Sequence, residues 1–305
     1  MFVLLTGWFS FDSAEVTAGD LLAGETVRAW LAEAGIPHRV AMAANFRSVW
    51  EVAWSGIDPD EVSHVVFACG PAAGPLVEDL FRSFPDATRV LVGVSVVDGT
   101  AALHPGAVIE RDRRGHSSPD LGLGRITTRV PVVGVILSHD QPEYGTRCRH
   151  GDAHRLIDEL LVASDVAPVI IDTRLHPRES HLCGTPGQLE SILSRLDAVV
   201  TTRLHGLVLA LKVGVPVLAV DPIGDGAKVT AQAAALAWPA AVRVDNASAD
   251  RLSGLLSWCL TGEARRVASR CATDGTARLA ATRAELLAAL GHPPTGGRGS
   301  WPAPD

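Results

Sequence analysis

Short apolar runs rich in valine and leucine alternate along this chain with longer segments whose apolar residues recur every three or four positions. The first kind reads as buried strands, the second as amphipathic helices. In the first part of the chain the pattern predicts strands at 2–6, 38–42, 64–68 and 89–97. It also predicts a helix opening at Gly19-Asp20 and closed by Gly35 and Pro37, and a second over Asn45–Trp54. Residues 122–129 read as a linker. The alternation then resumes, with strands at 130–137, 167–171, 198–200, 216–220 and 242–244. Helices are expected at 152–164 and 188–195, from Arg203 to Gly214, and at 249–260 and 263–290. Strands that alternate with helices build parallel sheets in an α/β fold. The expected domains are 1–125 and 126–290, followed by a Pro- and Gly-rich tail, 291–305, expected to be disordered. The halves are built alike, although no repeat is visible residue by residue.

The sharpest strand–helix–strand unit is 197–221. Ala198–Val200 is a buried strand, and Thr201 and Thr202 place hydroxyls where a helix can begin. Leu204, Leu207, Val208 and Leu211 follow at helical spacing, Gly214 stops the helix, and Pro216–Val220 is the next strand. Consecutive strands joined through a helix are parallel, so the first junction lies at the carboxyl edge of the sheet, where open α/β folds collect ligands. Arg203 and His205 stand at that junction. A fixed cation, a titratable ring and a positive helix end suit a small anion.

Composition narrows the picture. The chain has 305 residues, 47% hydrophobic and 20% charged, with a net charge of −7. Such a balance excludes a general nucleic-acid binder and requires any anionic substrate to find a local positive site. Nearly all the basic residues are arginine, which grips carboxylates and phosphates through paired N–H groups. The five cysteines include no C-x-x-C pair, which points to a reduced, cytoplasmic protein. Met1–Phe11 is apolar but short and lacks a basic leader, so it reads as a first strand. No run is long enough to span a bilayer. His176, His181 and Cys183 match no zinc spacing, and no metal site is expected.

The stretch from Thr201 to Val220, Thr-Thr-Arg-Leu-His-Gly-Leu-Val-Leu-Ala-Leu-Lys-Val-Gly-Val-Pro-Val-Leu-Ala-Val, with Lys228 beyond it, resembles the signature of the polysaccharide pyruvyl transferase family. Weaker pieces agree. Gly7-Trp8-Phe9 is similar to the family's Gly-aromatic start, and Thr17-Ala18-Gly19-Asp20 to its Asn-x-Gly-Asp element, with Thr in place of Asn. Cys69–Pro75 holds two glycines where the family tends to have a run of them. Arg111-Asp112 and Ser118-Pro119-Asp120 look like its Arg-Asp, Ser and Asp-Pro pieces.

The resemblance implies two Rossmann-like domains facing across a cleft, as in GT-B glycosyltransferases, with the acceptor on the first and the donor on the second. It implies a bacterial, cytoplasmic transferase of polysaccharide biosynthesis. The reaction moves the enolpyruvyl carbons of phosphoenolpyruvate onto sugar hydroxyls as a ketal and releases phosphate, with no cofactor and no metal. On this reading His205 and Arg203 are catalytic, and Arg111, Lys228, Leu204, Gly206, Asp20, Thr17 and Gly7 bind substrate. The partners are a small anionic donor and a hydroxyl acceptor, with no nucleic acid and no integral membrane segment; a homo-oligomer is allowed. Each residue also has a plainer reading. Asp20 suits a helix dipole, Arg111-Asp112 a local ion pair, Lys228 an exposed helix lysine, and His205 a capping or core imidazole. The loop 138–151, with His139, Asp140, Arg147, Arg149 and His150, is either a lid or a solvated charged loop. Arg113, Arg114 and His116 read as solvated charges. Two other functions compete: glycosyl transfer from a nucleotide sugar, and a degenerate, non-catalytic binding protein.

Overall fold

The computed structural model describes residues 2–49, 51–113, 116–139 and 141–292. The expectations for Arg114, Asp140 and the tail beyond His292 lie outside these residues. The chain divides into two compact units, Met1–Thr128 and Arg129–Asp305.

Unit 1 runs β1 (Val3–Gly7), α1 (Ala18–Glu33), β2 (His38–Val40), β3 (His64–Ala68), α2 (Pro75–Ser83), β4 (Thr88–Val94) and β5 (Ala107–Glu110). A two-residue antiparallel ladder follows, β6 (Asp112–Arg113) with β7 (His116–Ser117). The main strands form one parallel sheet in the order β2-β1-β3-β4-β5. Alternate residues of β1 serve opposite faces. Leu4 packs with Phe67, Leu91 and the α2 residues Val77, Leu80 and Phe81, while Val3 and Leu5 pack with Val66 and Val27 of α1. Both faces are covered, which is why β1 reads as a continuous apolar run. Each such buried Leu or Phe contributes about 1.5–3 kcal/mol of transfer free energy.

Unit 2 runs β8 (Val132–Ile136), α3 (His150–Ala163), β9 (Ala167–Ile170), α4 (Pro186–Leu193), β10 (Ala198–Thr201), α5 (Leu204–Lys212), β11 (Val217–Asp221), α6 (Lys228–Ala235), β12 (Ala241–Arg243), α7 (Ala249–Cys259) and α8 (Gly262–Ala289). Its sheet is also parallel, in the order β12-β11-β10-β8-β9. The centre is Val133, Val135, Val199, Val217 and Leu218, flanked by Leu207 and Leu211 of α5 and by Leu252 and Leu256 of α7. The two units share one topology. In each the first strand is interior, the second lies at the edge on one side of it, and the next three follow on the other. Each is thus a Rossmann-like doubly wound sheet.

Three sequence expectations need correction. Among the described residues of 45–54 there is no α-helix. They run through turns, with a bridge from Ala41 to Val52 and a 3₁₀ turn at Trp54–Gly56. Phe46 and Val49 are 48% and 89% exposed, so the segment has no apolar stripe to bury. The strand expected over 89–97 ends at Val94, because Gly93 adopts φ +65° and shifts the register against β5. Residues 121–124 are no free linker but a 3₁₀ turn seated on α1, where the Thr26 hydroxyl donates to the Leu121 carbonyl at 2.9 Å. Among the described residues no helix is long and apolar enough to cross a membrane.

Candidate functional site

In unit 2 the chain leaves β8 toward β9 on one side of the sheet, while β10 lies on the other. Loops that depart in opposite directions leave a crevice at the carboxyl ends of the two strands. Two adjacent threonines build its floor. The Thr201 hydroxyl donates to the Ile136 carbonyl at 2.7 Å and accepts the Arg203 N–H at 2.9 Å. The Thr202 hydroxyl accepts the Ser138 N–H at 2.8 Å and lies 3.0 Å from the Ser138 hydroxyl. These hydroxyls therefore tie β10 to β8 and to the start of α5, rather than simply capping a helix. No side chain caps α5, whose N-cap residue is Arg203. Its first N–H groups are left for a ligand.

A cavity of about 490 Å³ opens over this floor, and its described lining residues belong to unit 2. Arg203, Leu204, His205 and Lys228 all line it. Arg203 is aimed by residues just beyond β9, which lies on the far side of β8 from β10: its Nη1 donates to Asp172 Oδ1 at 2.7 Å and to Thr173 Oγ1 at 2.9 Å. The same carboxylate accepts Arg174 Nε at 2.7 Å on its other oxygen and the Arg174 backbone N–H at 2.8 Å. Burial pushes the Asp172 carboxyl up. The Arg174 backbone and side chain and the Arg203 guanidinium outweigh that push and hold it below the usual carboxylate range. One carboxylate thus orients two guanidiniums, each with further N–H groups unspent among the described residues.

Lys228 reaches the cavity from the first position of α6. The loop before it hangs on Asp221, which is fully buried at the end of β11. Asp221 accepts N–H groups from Ile223 at 3.2 Å, Ala227 at 2.8 Å and Thr230 at 2.9 Å, and the Thr230 hydroxyl at 2.9 Å. Among the described residues, Arg174, Arg203 and Lys228 line the cavity with one carboxylate, Glu143, while Asp172 is already paired with both arginines. The local balance is positive, opposite to the chain's net charge of −7.

Gly206 lies beneath the cavity rather than in its lining. A Cβ there would collide with Thr201 Oγ1 and come within 3.1 Å of Ile136 Cγ2, so its bare backbone lets α5 pack on β8 and β10. The remaining four expected site residues belong to unit 1. Gly7 sits at the end of β1, where a Cβ would meet the Ala68 carbonyl at 2.8 Å. Thr17 and Asp20 form a capping box on α1: Asp20 Oδ2 accepts the Thr17 N–H at 3.0 Å and its hydroxyl at 2.7 Å. Arg111 donates to Asp120 at 2.6 Å, to Asp112 at 3.1 and 3.0 Å and to Ser95 at 2.9 Å. Its hydrogen bonds with Asp112 and then Asp120 raise its pKa above the usual guanidinium value.

The loop 138–151 is stitched down at its far end. Cys148 bridges to Ile223, the Arg149 N–H donates to the Pro222 carbonyl, and the Gly224 N–H donates to the Arg147 carbonyl, both at 2.8 Å. His150 is no solvated loop charge. It is 1% exposed, starts α3, and holds Nδ1 3.1 Å from Cys148 Sγ.

Sequence reading missed Asp172, Arg174 and Asp221 as site-forming residues. The signal for the first two was present: an Asp-Thr-Arg triplet directly after an expected strand, at the same sheet edge as Arg203.

Residues 152–223 match the polysaccharide pyruvyl transferase family. The matched stretch contains Asp172, Arg174, Arg203, His205 and Asp221, while Lys228 and Arg111 lie outside it. No curated protein matches the chain. Among solved structures, the spinosyn rhamnosyltransferase SpnG bound to spinosyn aglycone is 12% identical, covering 91% of this chain and 96% of that one at a TM-score of 0.35. The glycotransferase of kitacinnamycin is 13% identical over 90% and 95%, with a TM-score of 0.33. MurG of Acinetobacter baumannii is 13% identical over 89% and 94%, with a TM-score of 0.32.

Proposed function

We propose that the chain is a transferase that moves the three-carbon unit of phosphoenolpyruvate onto hydroxyls of a sugar or related acceptor, forming a pyruvyl ketal and releasing phosphate. The observation that carries this reading is the Asp172-bridged pair Arg203 and Arg174 at one cavity with His205 and Lys228. The family match over 152–223 supports it. The donor bears a carboxylate and a phosphate, and two oriented guanidiniums with an ammonium are the groups that grip such a molecule.

The chemistry balances without redox or a further reactant. His205, as the acid, gives a proton to the methylene carbon, and the central carbon becomes cationic. An acceptor hydroxyl bonds to that carbon and gives up its proton. The bond to the phosphate oxygen breaks, and a second hydroxyl closes the ketal and gives up another proton. Of the two protons released, one restores His205 and one leaves with hydrogen phosphate. Arg203, Arg174 and Lys228 hold the donor's anionic groups and stabilise the charge that gathers on the departing phosphate. His205 suits the proton step because imidazole changes charge near neutral pH.

The test is release of free phosphate from phosphoenolpyruvate with a panel of sugar acceptors. His205→Ala should lower turnover by about 10²–10⁴, the range of general acid–base catalysis. Arg203→Ala should show near loss of turnover. Full turnover in both variants would sink the assignment. Thermal stabilisation by nucleotide sugars but not by phosphoenolpyruvate would point to glycosyl transfer instead, and stabilisation by neither to a non-catalytic protein.

A further inference from the structure

A second cavity, of about 220 Å³, lies within unit 1, where the segments leaving β1 and β2 meet the 3₁₀ turn at Trp54. Like the first, it sits at the carboxyl edge of its sheet. Its lining has two parts. One wall is apolar: Phe11, 3% exposed, and the half-buried Trp54 stand edge to face, with ring centroids 6.5 Å apart at 76°, and Met42 lies beside them. The rim is polar and exposed: Asp12, Ser13 and Ser55. Asp12 uses Oδ1 to accept the Ala44 N–H at 2.6 Å. Among the described residues its other oxygen and the two serine hydroxyls make no hydrogen bond.

The lining selects its ligand by elimination. Among the described residues no lysine, arginine or histidine lines the cavity and a carboxylate does, so an anion is opposed. A wholly apolar ligand would strip water from Asp12 without replacing its hydrogen bonds. A ligand with a flat apolar face and several hydroxyls on its edge satisfies both parts. The volume is below the roughly 300–1,000 Å³ of pockets for drug-sized molecules, so a single ring is the natural fit. We infer that this cavity binds a neutral pyranose ring, one face laid against Trp54 and adjacent hydroxyls donating to the free oxygen of Asp12. Charge-assisted hydrogen bonds to a carboxylate are about twice as strong as neutral ones and fix orientation. As a binding site the cavity stands on its own lining. As the seat of the transferase acceptor it rests on the pyruvyl-transfer reading.

The test titrates the full chain with the methyl glycosides of glucose, galactose and mannose, followed by calorimetry and by saturation-transfer NMR. At least one should bind saturably, in the millimolar range. Trp54→Ala should weaken that binding about tenfold or more. Asp12→Asn should weaken it as well while keeping the oxygen that accepts the Ala44 N–H, so it remains readable if Trp54→Ala fails to fold. Arg203→Ala should leave it unchanged. Saturable binding by none of the three glycosides, or wild-type binding by a folded Asp12→Asn chain together with a folded Trp54→Ala chain, overturns the proposal. Glycoside binding without phosphate release from phosphoenolpyruvate sinks the transferase reading alone. Release without glycoside binding sinks this one alone.

Discussion

Asp172 holds two guanidiniums with one carboxylate, and a pH titration can expose that role. Its folded pKa is lowered, so the stability it contributes is fully present above the unfolded carboxyl pKa of about 3.9. That contribution is lost as pH falls through the depressed folded value. Asp172→Asn should therefore be less stable than the parent by about 1–2 kcal/mol at neutral pH, as expected for lost hydrogen bonds to charged groups. The gap should hold constant from about pH 5 upward and close toward acid, as measured by urea unfolding at each pH. A gap that widens in acid would show that the carboxylate is not stabilised by its arginines. Gly206 makes the opposite kind of prediction, one of shape. A Cβ at this position meets Thr201 Oγ1 and Ile136 Cγ2 inside the packed junction. Gly206→Ala should cost about 1–3 kcal/mol by overpacking. Calorimetry should show it as a lower Tm, and an unchanged Tm would mean that α5 is free to lift.

Helix starts and strand ends, more than helix and strand bodies, build the cavity. The loop between β11 and α6 closes on the buried Asp221 carboxylate, and Lys228 is positioned only because that loop is closed. Asp221→Asn keeps an oxygen for some of the N–H donors but removes the charge. Amide hydrogen exchange at Ala227 and Thr230 should quicken by tenfold or more while β8 and β10 remain protected. Uniform quickening across the sheet would instead mark Asp221 as a general stability residue. The elements themselves were largely legible: β10, α5 and β11 follow directly from period and punctuation, because both faces of the strands are buried and Gly214 takes φ +74° at the helix end. The segment 45–54 was not legible, since Phe46 and Val49 imitate part of a helical stripe yet stay exposed, while Trp54 is half-buried against Phe11. Of the site, Arg203, His205 and Lys228 could be named from local pattern and resemblance. Asp172 and Arg174 were marked only by their triplet after an expected strand, because their value lies in β9 standing beside β8, a neighbour relation that the chain order does not print.

At the scale of the molecule, two sheets of the same topology carry different chemistry on their carboxyl edges. Unit 1 presents aromatic rings and a carboxylate, and its Arg111 is already committed to Asp112 and Asp120. Unit 2 presents guanidiniums, an imidazole and an ammonium. The sequence reading drew the anion site from cations of both halves, with Arg111 contributing from the first. The described residues that line the cavity with Arg203 belong to unit 2, as do those of the core beneath it. A chain segment with its own core and an unbroken sheet is a candidate to fold alone. Residues 129–292, expressed by themselves, should unfold cooperatively and bind phosphoenolpyruvate within about tenfold of the full chain, a difference of at most about 1.4 kcal/mol. Calorimetric titration of both proteins decides it. A fragment that folds but does not bind, beside a full chain that does, would return Arg111 or another unit 1 group to the donor site. Equal binding would leave Arg111 the structural task its two carboxylate partners already give it.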